Sequence, residues 1–573
     1  MINSSPAQLE IWNHRLAQVA EEMGVALGRA AFSPNIKERR DYSCALFDAV
    51  GRLVAQAAHI PVHLGATALS LGAVLQTLTL ADGEVAIVND PYAGGTHLPD
   101  ITLVRAVFAS GELIGYVANR AHHADVGGGA PGSMPMGVRA VGDGLPEAEE
   151  TPVAMGPQYA QAPSATLRTR PVTIDEEGVR IPPSLLDDAV VARLCAASTI
   201  VDDPQARIRP ARAPDERRGD LAAQRAALEV GCRRLQALAA TYGADVLRAR
   251  GDELIAYGEA LLRAAIRAIP DGVYAFADSL DDDGAGTHDV GVRVLLHVQD
   301  DRVVVDFSDS DGEVLGPLNA VYAVTLSAVV YAFRLLLPND APTNHGLYAP
   351  LEVIAPDGSI VNANPPRAVA AGNVETSQRI VDVVLGALAQ ALPGRIPAAS
   401  SGTMSNVLLG DDERAYYETI GGGAGASADG PGASCLHTHM TNTRNTPIEA
   451  LEHALPVRVV RYQRRRGSGG GGQFAGGDGV VRELELGADL TVTIVGERRR
   501  RPPYGLMGGG PGIPGEDWIE RGDQRRRLPP KVTFAARKGD RLTIATPGGG
   551  GYGDTMRAKF WASILSGEAL KLD

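Results

Sequence analysis

A dense group of side chains that can bind a metal lies between Asn89 and Asp125. It contains three histidines and three aspartates, namely His97, His122 and His123 with Asp90, Asp100 and Asp125. Imidazole nitrogens combined with carboxylate oxygens form a site of intermediate hardness, which accepts zinc, manganese or iron. The residue types therefore predict a divalent transition-metal site without selecting the metal.

The chain around these residues is predicted to bring them together. Pro99 favours extended backbone between His97 and Asp100, so both side chains can project from one loop. A pair of strands within 101–119 can then return His122 to the same end. We therefore expect a hairpin that delivers metal ligands from both of its limbs.

A polar core is the alternative interpretation of these side chains. A single buried histidine or aspartate is more often hydrogen-bonded to protein groups than bound to a metal. Six such side chains in one short stretch favour a metal site instead.

Helices and strands that must position this stretch can be predicted from hydrophobic periodicity. Helices are expected at five places: 7–32, 67–80 with His59 and His63 in its lead-in, 215–269 with a break near Gly243, 320–336 and 376–392. Alternating and β-branched sequence predicts strands within 42–117 and 272–309. An acidic hairpin turn is expected at 281–284, where the spacing of an EF-hand calcium loop is missing.

These elements predict an α+β (mixed α/β) protein with several domains. At 573 residues the chain is longer than one hydrophobic core usually organises. We expect a metal-binding N-terminal domain over 1–210, a helical and mixed α/β middle region over 211–400, and a β- and glycine-rich C-terminal region over 401–573.

Composition argues against several classes of function. The 54 Lys and Arg residues against 68 Asp and Glu residues give a net charge of −14, which provides no general attraction to nucleic acid or anionic lipid. Apolar stretches are too short to cross a bilayer, and the first residues do not resemble a signal peptide. We therefore expect a cytoplasmic protein. The four cysteines lack metal-ligand spacing and are expected to be small buried residues.

Runs of glycine mark the C-terminal third, and none has the pattern of a phosphate-binding loop. We expect these glycines to serve turns and close backbone approach, and we expect the chain to bind no nucleotide itself. The cluster 498–501, four consecutive arginines, is interpreted as a solvated basic loop, with phosphate binding as the alternative.

Several longer phrases of the sequence resemble the hydantoinase B/oxoprolinase family. They are NDPYAGGTHLPD (89–100), AHHADVGG (121–128), GNVETSQ (372–378), YETIGGGAG (417–425), THMTNTRNTPIE (438–449), RRGSGGG (465–471) and PGGGGYG (547–553). The resemblance extends over about residues 5–555, and this many ordered phrases are more specific than any short motif.

The resemblance implies four metal ligands, which are Asp41, His97, Asp100 and His122. His123 is the alternative to His122, because adjacent residues on an extended segment point in opposite directions. His123 or Asp125 is expected to transfer a proton beside the metal.

The resemblance also implies a hydrolase that opens the ring of a cyclic amide such as hydantoin, 5-oxoproline or a related lactam. In such a system a hydantoinase A-type ATPase subunit, carrying ATP and Mg²⁺, activates the amide within a hetero-oligomer. A related possibility is a subunit of a ketone carboxylase of the acetone or acetophenone type, although those subunits tend to be longer. A third possibility is a non-catalytic scaffold in which the metal only stabilises the fold.

Overall fold

The structure is a computed structural model that describes residues 4–57, 60–137, 139–140, 145–146, 167–168, 170, 172–195 and 210–554. Ten α-helices lie in this part of the chain. They are α1 Pro6–Ala30, α2 Pro34–Lys37, α3 His63–Thr77, α4 Ile174–Glu177, α5 Asp188–Cys195, α6 Pro214–Tyr242, α7 Ala244–Arg267, α8 Tyr322–Arg334, α9 Ser377–Ala391 and α10 Ile448–Ala454.

The β-strands of the described residues form four sheets. In chain order they are β1 Tyr42–Phe47, β2 Leu53–Gln56, β3 Val85–Val88, β4 Asp100–Ala109, β5 Glu112–His122, β6 Arg139–Ala140, β7 Leu167–Arg168, β8 Ser184–Leu185, β9 Gly272–Asp282, β10 His288–Gln299, β11 Arg302–Asp306, β12 Leu351–Ile354, β13 Asn406–Gly410, β14 Ala415–Glu418, β15 Val457–Arg465, β16 Gly479–Leu486, β17 Leu490–Val495, β18 Glu516–Arg521, β19 Gln524–Arg527, β20 Lys531–Ala536 and β21 Arg541–Ala545. The first sheet has the order β2-β1-β5-β4-β3-β8, the second β12-β11-β10-β9, the third β14-β13-β17-β20-β6-β7 and the fourth β15-β16-β21-β18-β19.

Helix α1 illustrates how the sequence pattern becomes packing. The hydroxyl of Ser5 accepts the backbone N–H of Gln8, and Oε1 of Gln8 accepts the backbone N–H of Ser5, so the helix begins at a capping box. The apolar residues at three- and four-residue spacing are all buried; they are Leu9, Trp12, Leu16, Val19, Met23 and Leu27. The predicted helix is therefore confirmed, and its apolar stripe faces the core.

The central helices and the acidic turn also follow the prediction. Helices α6 and α7 are separated by Gly243, whose φ of 93° is a left-handed backbone conformation that glycine adopts readily. Strands β9 and β10 pair antiparallel, and the backbone N–H of Asp283 donates to the carbonyl of Thr287 in the turn between them. The expected break near Gly243 and the expected acidic hairpin are both confirmed.

One large hydrophobic core contains residues from all three predicted regions. It includes Ile101 from the first region, Val324 from the second and Leu408 from the third. The class predicted from the sequence, helices mixed with several sheets, is confirmed. The boundaries at 210 and 400 stay predictions.

Close backbone approach is what the glycine-rich loops require. A Cβ atom on Gly423 would lie 1.9 Å from the carbonyl oxygen of Gly477, and one on Gly549 would lie 2.1 Å from that of Ala424. Both distances are far below van der Waals contact, so any side chain here would push the loops apart. The expected role of these glycines in close approach is confirmed.

The arginine cluster differs from its predicted state. Arg498 and Arg499 are almost completely buried rather than solvated. The Nη2 atom of Arg498 lies 2.8 Å from a carboxylate oxygen of Asp278, and the Nε atom of Arg499 lies 3.0 Å from one of Asp517. The solvated-loop interpretation is therefore wrong for these two residues, because a buried guanidinium needs a carboxylate partner and finds one inside the protein. The same pairing leaves these two groups engaged rather than open to a phosphate.

The structure tests the expectation that the cysteines are buried and the expectation that no segment crosses a membrane. Cys44, Cys195 and Cys232 are buried as expected, whereas Cys435 is exposed, so the expectation is wrong for that residue. No helix within the described ranges is both long enough and apolar enough to cross a membrane.

Candidate metal centre

Three neighbouring strands of the first sheet have one terminus each at the same end of the sheet: β1 and β4 begin there, and β5 ends there. Strands β4 and β5 pair antiparallel with Asp100 opposite His122. Strand β1 pairs with β5 on the other side, and the backbone N–H of His122 donates to the carbonyl of Asp41 at 2.9 Å. The predicted hairpin is confirmed, and it brings together residues from both limbs.

The loop before β4 adds the fourth predicted ligand. It is held by Asn89, whose Nδ2 donates to the carbonyl of Leu98 at 2.8 Å and whose Oδ1 accepts the backbone N–H of Ile181 at 2.6 Å. The backbone N–H of Asp100 donates to the carbonyl of His97 at 3.1 Å, which closes a turn. His97 is therefore fixed beside the end of β4.

The side chains of these residues converge on one another. His97 Nε2 lies 3.3 Å from one carboxylate oxygen of Asp100, and His122 Nδ1 lies 3.5 Å from the other. One ligand atom from each of these three residues lies within 4.8 Å of the other two, and all three residues are buried. Asp41 lies at the margin of the group, with Oδ2 at 3.9 Å from His122 Nδ1.

Unpartnered polar atoms show that this cluster fits a metal ion. Both ring nitrogens of His97, the Oδ1 atom of Asp100 and the Nε2 atom of His122 are buried without a hydrogen-bond partner. Such atoms are costly in a protein interior unless something binds them. A divalent cation between two imidazoles and a carboxylate satisfies them, and this donor set suits zinc, manganese or iron.

Protonation in the cluster also favours a cation. Burial lowers the pKa of His122, so its imidazole is neutral near pH 7 and keeps a lone pair for a metal. Burial of Asp100 opposes its ionisation, but the imidazoles of His97 and His63 hold its pKa well below the ordinary value. The cluster therefore combines a carboxylate with a neutral imidazole.

His63 lies at this site although the sequence predicted only that it belongs to a helix region. It begins α3, and its Nε2 lies 3.3 Å from Asp100 Oδ2. Its Nδ1 is hydrogen-bonded to the hydroxyl of Ser43 at 2.8 Å. Hydrogen bonds from neighbouring groups orient metal ligands and tune their basicity, so His63 and Ser43 are positioning residues for Asp100. A histidine at the start of a buried helix is a weak signal, because the sequence does not show where that helix packs.

Tyr417, from β14 of the third sheet, covers the cluster. Its ring stacks on the imidazole of His122, with centroids 4.5 Å apart and planes 7° apart. The guanidinium of Arg39 lies 4.7 Å from the centre of the same ring and donates to the Tyr417 carbonyl at 2.9 Å. The aromatic ring fixes the plane of His122 and keeps water away from one side of it.

A cavity of about 20 Å³ adjoins the cluster and has room for about one water molecule. Its polar lining includes Asp41, His63, Asp100, His122, Asn373, Thr419 and Thr441, and its apolar lining includes Val374, Met404 and Met440. Asn373 belongs to the phrase at 372–378, Tyr417 and Thr419 to the phrase at 417–425, and Thr441 to the phrase at 438–449. Three phrases quoted above for the resemblance thus meet at one cavity, although hundreds of residues separate them from the hairpin.

His123 and Asp125 do not reach this cavity. The ring of His123 is hydrogen-bonded to Gln224 of α6 at 2.9 Å, on the opposite side of the strand from His122. Asp125 accepts backbone N–H groups of Gly127 and Gly132 and pairs with Arg212 at 2.9 Å. Their proton-transfer role stays a prediction, and no contact with the cluster supports it.

Comparison with known proteins identifies the family of the chain. Residues 5–145 and 162–555 match the sequence profile described as hydantoinase B/oxoprolinase. A protein named 5-oxoprolinase 1 from Arabidopsis thaliana is 37% identical, and the match covers 96% of this chain but 42% of that protein. A relative from a Pseudomonas species, named as a putative subunit of a D-/L-hydantoinase, is 28% identical, with 96% of this chain and 90% of the relative covered.

Solved structures show the same fold. An ATP-dependent caprolactamase from Pseudomonas jessenii superposes with a TM-score of 0.81 at 27% identity, covering 99% of this chain and 94% of that one. An acetone carboxylase has the same TM-score at 18% identity, covering 99% of this chain and 78% of that one, and this likeness shows the fold alone. Because the profile match extends over most of its length, the chain belongs to the hydantoinase B/oxoprolinase family.

Proposed function

We propose that this chain completes the ring-opening hydrolysis of a cyclic amide after an ATP-using partner protein has activated that amide. The observation that carries the proposal is the group of buried, unpartnered ligand atoms on His97, Asp100 and His122 beside a cavity that holds about one water. In the proposal Asp41 completes the ligand set at the margin of the cluster.

The chemistry requires two separate contributions. An amide is a poor electrophile, and transfer of a phosphoryl group from ATP to its carbonyl oxygen makes the carbon reactive. A bound divalent metal supplies Lewis acidity, which lowers the pKa of a water to about 7. Overall a cyclic amide, ATP and two waters give the ring-opened amino acid, ADP and phosphate, so every atom is accounted for.

The residues of this chain have defined tasks in that reaction. Asp100 provides the negative charge of the cluster, and His63 with Ser43 keeps its carboxylate oriented. The hydroxyl of Thr419 accepts a hydrogen bond from Arg39 at 3.0 Å and is also hydrogen-bonded to the hydroxyl of Thr443 at 2.7 Å. These two hydrogen bonds fix Thr419 on the cavity wall, where it is one of the polar groups beside Asp100 and His122.

The partner protein and its nucleotide are part of the same proposal. One relative is named as a subunit of a hydantoinase, and one solved relative is named as ATP-dependent. The chain has no phosphate-binding loop pattern in its sequence. We therefore assign ATP and Mg²⁺ to a hydantoinase A-type ATPase subunit, with which this chain forms a hetero-oligomer.

The test uses zinc- or manganese-loaded chain together with its ATPase partner and a panel of hydantoin, 5-oxoproline and ε-caprolactam. We expect ring opening of at least one compound, measured by chromatography of the amino acid, only when ATP and both proteins are present. His97→Ala should abolish it. ATP-dependent incorporation of bicarbonate into acetone without lactam hydrolysis would instead assign the ketone carboxylase function.

The assignment of ATP to the partner protein can be tested on the isolated chain. Calorimetric titration of the isolated chain with ATP and Mg²⁺ should give no heat of binding at micromolar concentrations. Micromolar affinity would contradict the assignment of the nucleotide to the partner.

A further inference from the structure

The two carboxylate oxygens of Asp100 have different surroundings. Oδ2 accepts the hydroxyl proton of Thr96 and is hydrogen-bonded to Nε2 of His63 at 3.3 Å. The imidazole of His97 also approaches Oδ2, at 3.3 Å, but no hydrogen bond joins them. Oδ1 is buried without a hydrogen-bond partner and lies 3.5 Å from Nδ1 of His122. Buried carboxylate oxygens normally have partners, so the bare Oδ1 is the oxygen that is left for a ligand.

Thr96 is held in place by contacts between its loop and α3. It is completely buried, and two residues before it the backbone of Gly94 has a φ of 80°. A Cβ on Gly94 would lie 2.4 Å from a backbone carbonyl carbon of α3, so only glycine lets the loop lie directly on this helix. The hydroxyl of Ser70, in α3, donates to the Gly94 carbonyl at 2.8 Å and accepts Nη2 of Arg120 at 2.7 Å. The helix that begins with His63 therefore also fixes the loop that carries Thr96.

We propose that Thr96 is a positioning residue that keeps Asp100 a one-oxygen ligand, with Oδ1 alone bound to the metal. A carboxylate can bind a metal through one oxygen or through both. Binding through both oxygens of Asp100 has to displace the Thr96 hydroxyl and the His63 imidazole from Oδ2. The position that a second oxygen would take on the metal then stays available to the water of the adjoining cavity. The inference rests on the metal site of the proposed function and on no step of the ring opening.

Removing the Thr96 hydroxyl should change both the strength and the number of the metal's bonds. Thr96→Val keeps the branched shape of the side chain and leaves Oδ2 without that donor. Loss of a hydrogen bond that orients a ligand typically weakens metal binding at least tenfold, and we expect this for zinc in a chelator competition. Cobalt(II) accepts the same nitrogen and oxygen ligands, and its visible absorption becomes weaker when a further ligand joins a four-coordinate site. The absorption per bound cobalt should therefore be weaker in Thr96→Val than in the wild type.

Three further variants separate the hydroxyl from the packing of the side chain. Thr96→Ser keeps the hydroxyl and should retain the zinc affinity and the cobalt spectrum of the wild type. Thr96→Ala lacks the hydroxyl and should behave like Thr96→Val, so the serine and alanine variants decide the question if the valine variant folds poorly. Thr325→Val is the matched control, because Thr325 is equally buried and its hydroxyl donates to the Val361 carbonyl at 2.6 Å, away from the cavity. It should leave both measurements unchanged.

The wild-type affinity and spectrum in Thr96→Val and Thr96→Ala would overturn the role of Thr96. Equal losses in Thr96→Ser and Thr96→Ala would also overturn it, because the methyl group rather than the hydroxyl would then be responsible. A wild type without stoichiometric zinc or cobalt would refute this inference together with the proposed function. The proposed function alone fails if the variants behave as expected but the metal-loaded wild type opens no lactam with ATP and partner.

Discussion

Replacing His97 with leucine should separate metal binding from folding. Leucine has a volume similar to that of histidine and no polar atoms, so the substitution removes a ligand with little change in packing. Both ring nitrogens of His97 are buried without a hydrogen-bond partner. His97→Leu removes that unfavourable burial, while losing the 3.3 Å contact with Asp100 and the edge contact with the His122 ring.

His97→Leu should affect the free energy of unfolding differently without metal and with metal. An unsatisfied buried polar group costs about 1–3 kcal/mol, and an aromatic edge contact contributes about 1 kcal/mol. The metal-free variant should therefore be as stable as the metal-free wild type, or more stable by about 1 kcal/mol. A metal at about 100 times its Kd stabilises the wild type by about 2.7 kcal/mol, and His97→Leu should lose nearly all of this gain.

Urea unfolding of the two proteins, each with a chelator and with excess zinc or manganese, gives the four free energies. Bound metal is measured in parallel by elemental analysis after gel filtration. A metal-free variant more than about 2 kcal/mol less stable than the wild type would refute the reasoning, because His97 would then support the fold itself. Equal stabilisation of both proteins by metal would also refute it, because the ion would bind elsewhere.

Three further predictions follow from neighbouring contacts. Tyr417→Phe keeps the ring stacked on His122 but loses the hydroxyl bond to Asn406, so it should lower the free energy of unfolding in urea by about 1–2 kcal/mol without changing zinc affinity. Tyr417→Leu removes the stacked ring and should weaken zinc binding at least tenfold in a chelator competition. Burial raises the pKa of Glu375 to about 8, so its contribution to stability is full below its ordinary pKa and is lost as the pH rises towards about 8. Glu375→Gln should therefore reduce the fall in unfolding free energy between about pH 5 and pH 8 by on the order of 3 kcal/mol. Identical pH profiles of the variant and the wild type would contradict this. Asp125→Asn leaves the buried Arg212 without its carboxylate and should lower the free energy of unfolding by about 3–5 kcal/mol while the folded fraction keeps its metal. An unchanged free energy of unfolding would contradict this.

Local sequence predicted the hairpin because its two limbs are neighbours along the chain. Strands β4 and β5 are joined by a two-residue connection, so their register follows from the sequence between them and brings Asp100 opposite His122. Periodicity likewise predicted α1 and the break between α6 and α7, since each depends on contacts within a few turns. Asp41 could be predicted as a ligand only from the family resemblance, because the pairing of β1 with β5 is what brings it near His122.

The sequence by itself determined the types of ligand, the hairpin that carries two of them and the family of the chain. Tertiary structure alone decided that His122 faces the cluster while His123 faces Gln224, and that Tyr417 and Asn373 complete the cavity. The physical reason is that periodicity specifies which face of an element is buried but not what packs against that face, since many partners bury the same apolar area equally well. The contacts that select one arrangement, such as Asn406 bridging the Tyr417 hydroxyl and the Glu375 carboxylate, join residues far apart in sequence and exist only in the folded chain.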